Sequence, residues 1–190
     1  MTTKSDKGTN KRTKFRRFSD RRTVLLLEIY ETLFHNPDST ERDNRLLQAI
    51  QDNYATDMAA FVSQENSGTG TTQIHVAVGD WSNNNGEKLL KGNGLEVLWD
   101  LQKSAPGALT FTRVKRPPVF PKEAWDNLWN DTLETKMALL SIEILPQQAP
   151  QEVLWLLQTN YSREWSSRDR ELAEEVAVLI AKARDMAAHA

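Results

Sequence analysis

Cysteine is absent from all 190 residues of the sequence. This absence excludes disulfide bonds, thiolate nucleophiles and metal sites with thiolate ligands. It also excludes a chromophore that is joined to the chain through a thioether bond. Several well-defined chemistries are therefore unavailable to this chain.

Long apolar segments are absent too. No apolar run approaches the roughly 20 residues that a membrane-spanning helix needs, and the basic N-terminal residues are not followed by the apolar segment of a secretory signal. Hydrophobic residues make up 39% of the chain and charged residues 26%, which is ordinary for a soluble globular protein. We expect a soluble, cytoplasmic protein with one domain and an additional arm.

Histidine is scarce, and the three histidines are far apart in the sequence. His35 lies at the end of a predicted helix and His189 lies next to the last residue, so neither is expected to converge with His75 on a metal ion. The sequence has no H-E-x-x-H motif, no glycine-rich phosphate-binding loop and no G-x-S-x-G nucleophile elbow. We therefore expect no metal site and no enzymatic activity.

The charge is divided unevenly along the chain. Residues 1–22 carry nine basic and two acidic side chains, a net charge of +7, which leaves −9 for the remainder of a chain with a formal net charge of −2. We expect residues 1–19 to be a disordered basic arm and residues 20–190 to be a single domain. The arm suits nucleic acid or an acidic protein. The alternative is a solvated leader, or one that folds back on its own acidic domain.

The spacing of apolar residues predicts an α+β chain. Helical spacing predicts helices over residues 20–34, 40–54, 95–103 and 122–133, and alternation predicts strands over residues 57–65, 71–78, 109–114, 137–145 and 152–159. The last two strands are expected to pair antiparallel because they are separated by a short turn.

The predicted strand over residues 71–78 alternates along its length. Ile74, Val76 and Val78 are expected on one face, which faces the core. His75 is expected on the opposite face with small and polar neighbours, where it would line a cavity or meet water.

A helix of period nearly four follows the last predicted strand. Ser166 and Asp169 are three residues apart, which is typical of a capping box at a helix N-terminus. The segment Trp165-Ser166-Ser167-Arg168-Asp169, followed by Leu172-Ala173-Glu174-Glu175-Val176-Ala177, resembles the start of the last helix of a GAF domain. With the two strands before it, the stretch from Met137 to Met186 resembles the closing third of that family's domain.

This resemblance implies a fold and a general function. The fold is α+β and GAF/PAS-like, with a central antiparallel sheet of about five or six strands, terminal helices packed on one face, and connecting helices and loops over the other. The function is that of a non-catalytic sensory domain, which binds a small molecule and signals through its terminal helices. The Asn-Lys…Phe…Asp-Glu pattern of cyclic-nucleotide-binding members is absent, so the ligand and any cofactor stay unassigned.

Five residues are candidates for a ligand pocket in such a fold. Trp125 and Trp129 are one helical turn apart and, with Trp99, would form an aromatic wall for a flat or cationic ligand. His75 would contact the ligand from its strand, and Arg113 would contact an anionic group. The alternative is that the tryptophans are core residues covering the sheet and that His75 is a hydrogen-bonded structural residue.

The terminal helices suggest a homodimer. Ala173, Ala177 and Ala181 form a stripe of small residues on the last helix, and Leu26 and Tyr30 form a second apolar stripe on the first. The alternative is that these helices pack on each other within one chain. The competing function is a ligand-free dimerising adaptor whose basic arm docks on nucleic acid or an acidic partner.

Overall fold

A computed structural model of the chain describes residues 18–35, 39–64, 72–79, 95–105, 107–112, 115–129, 138–144, 151–159 and 163–188. The expectations for the basic arm before residue 18 lie outside these residues. So do Arg113 and His189.

Five helices and five strands are present in the described part of the chain. The helices are α1 (Phe18–His35), α2 (Ser39–Tyr54), α3 (Leu95–Ser104), α4 (Lys122–Trp129) and α5 (Ser167–Ala188). The strands are β1 (Met58–Gln64), β2 (Thr72–Gly79), β3 (Leu109–Thr112), β4 (Ala138–Glu143) and β5 (Gln151–Gln158). Each element was predicted from apolar spacing, with bounds that differ by a few residues.

The five strands form one antiparallel sheet in the order β2-β1-β5-β4-β3. The predicted pairing of β4 with β5 is confirmed, since Leu140 lies opposite Leu156 in that ladder. Strand β5 is central, and every one of its eight residues is buried. The α+β prediction is therefore confirmed.

One face of the sheet is covered by α1, α2 and α5. Leu25, Ile29 and Leu33 recur every four residues on α1 and are buried, which is the pattern of a helix that packs on a core. We call this the helix-side core; its larger members are Leu25, Ile29, Leu33, Leu46, Leu47, Ile50, Tyr54, Phe61, Leu140, Ile142, Leu154, Leu156, Trp165, Leu172, Val176 and Ile180. The prediction that the terminal helices pack on one face is confirmed.

The other face is covered by α3, α4 and the segment before α4. Its buried side chains include five aromatic rings, and we call it the aromatic core. It consists of Met58, Ala60, Val62, Leu95, Leu98, Trp99, Phe111, Phe120, Trp125, Leu139, Val153, Trp155 and Leu157. The connecting elements therefore lie over the sheet face opposite the terminal helices, as expected.

The predicted alternation of β2 is confirmed for Val76, Ala77 and Val78 but is wrong at Ile74, because the strand contains a bulge. Phe61 pairs with Val76, but its neighbour Val62 pairs with Ile74, so His75 is skipped in the ladder. Ile74 consequently packs against the aromatic core, whereas Val76 packs against the helix-side core. A single extra residue reverses which face each later side chain occupies.

The start of α5 has the predicted capping box. The Ser166 hydroxyl accepts from the Asp169 amide over 3.1 Å, and Asp169 Oδ2 accepts from the Ser166 amide over 2.9 Å. These two hydrogen bonds are reciprocal, and they satisfy backbone N–H groups that have no partner within the first turn of the helix.

Candidate functional site

Trp155 lies at the centre of the aromatic core. Its partners across the ladder are Ala60 on β1 and Ser141 on β4, both small residues. The side chain is 1% exposed. Its indole Nε1 has no hydrogen-bond partner among the residues that the structure describes. A buried donor without an acceptor carries a desolvation penalty, so this N–H is a candidate group for binding an acceptor atom.

Three further rings pack together on the same sheet face. Trp125 on α4 contacts Phe120 edge to face, with ring centroids 5.2 Å apart, and lies 6.3 Å from Phe111 on β3. Phe111 and Phe120 are also edge to face, with centroids 6.0 Å apart. Such contacts are favourable for aromatic quadrupoles. These contacts hold α4 against β3, which is an edge strand of the sheet.

Polar bonds fix α3 over the same face. The Trp99 indole N–H donates to the Thr72 hydroxyl of β2 over 3.1 Å. The Ser141 hydroxyl, which is fully buried, donates to Gln102 over 3.0 Å, and the Gln102 amide donates in turn to the Gly107 carbonyl. Because α3 is tied to β2 at one point and to β4 at another, it crosses the sheet over β1 and β5, which lie between these strands.

A titratable group lies at the rim of this face. Glu143, at the end of β4, accepts a hydrogen bond from the Gln151 amide over 2.7 Å. Burial raises the pKa of Glu143, and the bond from Gln151 and the charge of Lys103 partly oppose that rise. The rim thus carries an acidic group that binds its proton more readily than a free carboxyl.

Two of the five predicted pocket residues come together in the structure. Trp99 and Trp125 are both buried in the aromatic core. His75 is separate: its Nε2 is 2.6 Å from the hydroxyl of Ser63, which lies two residues after Phe61 and shares its helix-covered face. Trp129 ends α4, but its side chain lies outside the described residues, as does Arg113.

Trp155, Phe111 and Phe120 did not stand out as site residues in the sequence. The predicted strand over residues 152–159 includes Trp155, but the position of this residue between Ala60 and Ser141 depends on strand register. Phe120 follows two prolines, where periodicity carries no information. The high aromatic content around residues 111–125 was the available signal.

The helix-covered side has an exposed apolar surface. Val24, Leu27, Tyr30 and Phe34 lie on the side of α1 that faces away from the core and are 41%, 57%, 51% and 44% exposed. Tyr30 and Phe34 pack together with ring centroids 4.6 Å apart. We call these four residues the α1 stripe. A row of large apolar side chains in water is characteristic of an interaction surface.

The small residues predicted for dimer contact lie elsewhere. Ala173 and Ala177 are buried in the chain's own helix-side core, and Ala181 is half-buried against it. Leu26 is half-buried and packs on the same core. Of the five predicted dimer residues, Tyr30 is the one with a largely exposed side chain.

Within the described residues, no group of three or more histidine, cysteine, aspartate or glutamate side chains is arranged to hold a metal ion. None of the described helices is long and apolar enough to span a membrane.

Comparison with known proteins gives matches to structures alone. No protein-family model matches the sequence, and no curated protein matches it. A GAF domain of a putative sensor histidine kinase from Pseudomonas syringae pv. tomato is similar, with a TM-score of 0.57 at 17% identity, covering 90% of this chain and 91% of that one.

Two other solved structures are similar to the same extent. The GAF domain of a phosphoenolpyruvate-protein phosphotransferase from Coxiella burnetii has a TM-score of 0.57 at 15% identity and covers 90% of this chain and 98% of its own. The phycoerythrobilin-bound GAF domain of a cyanobacterial phytochrome has a TM-score of 0.58 at 10% identity, with coverage of 90% and 98%. The chain therefore has the fold of GAF domains.

Proposed function

We propose that this chain, which has the fold of GAF domains, is a non-catalytic sensory domain that binds a small molecule within its aromatic core and signals through its terminal helices as a homodimer. The observation that carries the proposal is Trp155. Its indole N–H is buried on the sheet face opposite the terminal helices and has no acceptor among the described residues. A ligand with a hydrogen-bond acceptor and a flat apolar body would satisfy it.

The surrounding rings support a flat ligand. Trp99, Phe111, Phe120 and Trp125 line the same face as Trp155 and supply apolar and aromatic surface. One structural neighbour holds phycoerythrobilin, a flat conjugated molecule with several carbonyl acceptors. Since this chain has no cysteine, any such molecule would be held without a thioether bond.

Strand β5 supplies a route from the ligand to the helices. Trp155 lies in the aromatic core, while its neighbours Leu154 and Leu156 pack in the helix-side core. At the start of the same strand, Glu152 forms an ion pair with Arg184 of α5. A shift of β5 on ligand binding would therefore move α5 through packed side chains and a charge pair.

The homodimer would form through the α1 stripe. Burying Leu27, Tyr30 and their two neighbours against a second copy would remove their apolar surface from water, and a two-fold axis would place each stripe on its equivalent. A signal reaching α5 would then alter the packing of α1 on its partner.

Two variants test the ligand proposal. A thermal-shift screen of the full chain with bilins, nucleotides and aromatic acids identifies a ligand, whose affinity is then measured for Trp155→Phe and Trp165→Phe. Trp165 is a matched control because its Nε1 is also buried without a described partner, but it lies in the helix-side core.

We expect Trp155→Phe to weaken binding about fivefold or more, which is the loss of roughly one hydrogen bond, and Trp165→Phe to leave affinity within about twofold. Equal effects of the two variants would contradict a role for Trp155. If no compound in the screen stabilises the protein, the ligand proposal fails.

The adaptor is the second candidate, and the exposed α1 stripe favours it equally. The adaptor function differs from the sensory function because it needs no ligand and because its basic arm binds nucleic acid. Binding of the full chain to a single-stranded DNA oligonucleotide that weakens steeply with salt would support it. Unchanged binding after deletion of residues 1–17 would contradict it.

A further inference from the structure

A groove runs between α1 and α5 on the outer surface of the helix layer. Its volume is about 600 Å³, and it is lined by Arg22, Leu26, Glu171, Glu174, Glu175, Val178 and Leu179. The lining combines carboxylates with apolar side chains. This composition suits a segment that carries both positive charge and an apolar group.

The carboxylates of the groove differ in the number of hydrogen bonds that they accept from the rest of the chain. Glu175 accepts two hydrogen bonds from the Arg22 guanidinium, over 2.7 and 2.6 Å. Glu174 accepts from the Ala108 amide over 3.1 Å. Glu171 is exposed on the groove wall. Three carboxylates against one guanidinium leave the groove with a negative charge.

The floor of the groove is apolar. Leu26 and Leu179 are half-buried, and Val178 is 52% exposed. A bare carbon surface between charged walls is unfavourable in water and favours a partner with an apolar side chain.

The two helices run parallel along the groove, which fixes where each end lies. Arg22 is paired with Glu175, and four residues further along both helices Leu26 lines the groove with Leu179. Phe18, the first residue of α1, is four residues before Arg22, and Glu171 of α5 is four residues before Glu175, the partner of Arg22. Phe18 and Glu171 therefore lie at the same end of the groove. The chain that precedes Phe18 therefore joins the molecule at the Glu171 end of the groove.

That preceding chain has the matching chemistry. Residues 11–17 read Lys-Arg-Thr-Lys-Phe-Arg-Arg, with five positive side chains and one aromatic ring. From Glu171 to Leu179 the groove spans eight helical residues, or roughly 12 Å, which about four extended residues cover. A chain that reverses at Phe18 would bring Phe15 to the apolar floor while its arginines lie beside the carboxylates.

We infer that residues 11–17 dock in the groove between α1 and α5 of their own chain, with Phe15 on the floor formed by Leu26, Val178 and Leu179. The docked segment hides the positive charges of the arm from anionic partners. High salt, or a strongly anionic partner, releases it. This autoinhibitory contact is independent of whether the aromatic core binds a ligand.

Disulfide trapping in the full chain tests this contact, and the absence of native cysteines makes it unambiguous. Thr13→Cys is combined either with Val178→Cys in the groove or with Val119→Cys. Val119 is a matched control because it is also exposed, at 69%, but lies beside the aromatic core, just before Phe120. Disulfide formation in a glutathione buffer is followed on non-reducing gels.

We expect the 13–178 pair to form an intramolecular disulfide at least about tenfold faster than the 13–119 pair at low salt, and high salt to remove the difference. Adding Glu171→Gln should slow the 13–178 pair severalfold, whereas Glu123→Gln, the same charge change on α4, should not. Equal rates for the two pairs would overturn the inference. So would a 13–178 product that is a disulfide-linked dimer, since the arm would then dock on a second copy.

Discussion

Arg184 of α5 donates to the carboxylate of Asp43 of α2 over 3.1 Å. The same guanidinium pairs with Glu152 of β5 and lies over the ring of Phe61 of β1, 4.7 Å from its centroid. Burial lowers the pKa of Arg184, and the charge of Asp43 opposes that shift. One side chain thus connects the last helix with α2 and with two central strands.

Replacing Arg184 with methionine should destabilise the fold by about 3 kcal/mol. The substitution keeps the apolar stem but leaves the largely buried Glu152 without its ion-pair partner, and it leaves Asp43 paired, within the described residues, with Arg42 alone at 3.7 Å. Removing one partner of a buried pair carries a penalty of that order. Urea denaturation of the two proteins measures the difference.

Arg45→Gln is the control for this variant. Arg45 is paired with Glu41 on the exposed side of α2, where both side chains are more than half exposed, so its loss should change stability by about 0.5 kcal/mol or less. Similar losses from Arg184→Met and Arg45→Gln would show that the buried cluster is not a strong contact.

The capping box predicts a position-specific effect at the start of α5. Ser166→Ala removes the hydroxyl that accepts from the Asp169 amide and should reduce stability by about 1 kcal/mol. Ser167→Ala, one residue later and inside the helix, should have no such effect. Thermal denaturation of both variants checks this, and equal melting temperatures would contradict the role of the cap.

Glu143 predicts a pH dependence with a definite sign. Burial raises its pKa in the folded protein above the ordinary value of 4.5, so the folded state holds this proton more tightly than the unfolded chain. The stabilisation is fully present below about pH 4.5 and is lost as pH rises through the folded pKa.

Glu143→Gln should therefore melt at a higher temperature than the parent at neutral pH, and the gap should close on acidification toward pH 4. The amide can still accept from Gln151, so the hydrogen bond is retained. Melting curves across this pH range measure the gap. A variant that is less stable at neutral pH than at pH 4, relative to the parent, would contradict the assignment.

The α1 stripe predicts that self-association depends on Leu27. Leu27→Glu places a charge in the middle of the stripe and should convert a dimer into a monomer, because an unpaired carboxylate would be buried in the interface. Val119→Glu adds the same charge at an exposed position beside the aromatic core and should leave the dimer intact. Sedimentation velocity distinguishes the two species, and a parent chain that is monomeric at micromolar concentrations would rule the dimer out.

Much of the fold follows from local sequence patterns. The helices carry apolar residues three and four apart, and the strands alternate or are continuously apolar. The Ser166–Asp169 pair marks the start of the last helix. Each of these signals arises within one turn or one strand. For that reason the elements and the pairing of neighbouring strands could be predicted without the structure.

The site depended on relationships that are not local. The bulge at His75 is set by how β2 pairs with β1, and it moved Ile74 and Val76 to opposite faces. The importance of Trp155 depends on small residues in two other strands. The burial of Ala173 and Ala177 reflects how α5 sits on the sheet. The periodicity of the sequence gives no information on these contacts between distant segments.

Native mass spectrometry of the freshly purified full chain is the most direct test of the proposed function, because one spectrum reports both the oligomeric state and any bound small molecule. We expect a complex of two chains that carries an additional small mass, which collisional activation removes because no covalent bond through cysteine is available. A spectrum that contains the single chain alone, at its unmodified mass, would contradict both the bound ligand and the homodimer.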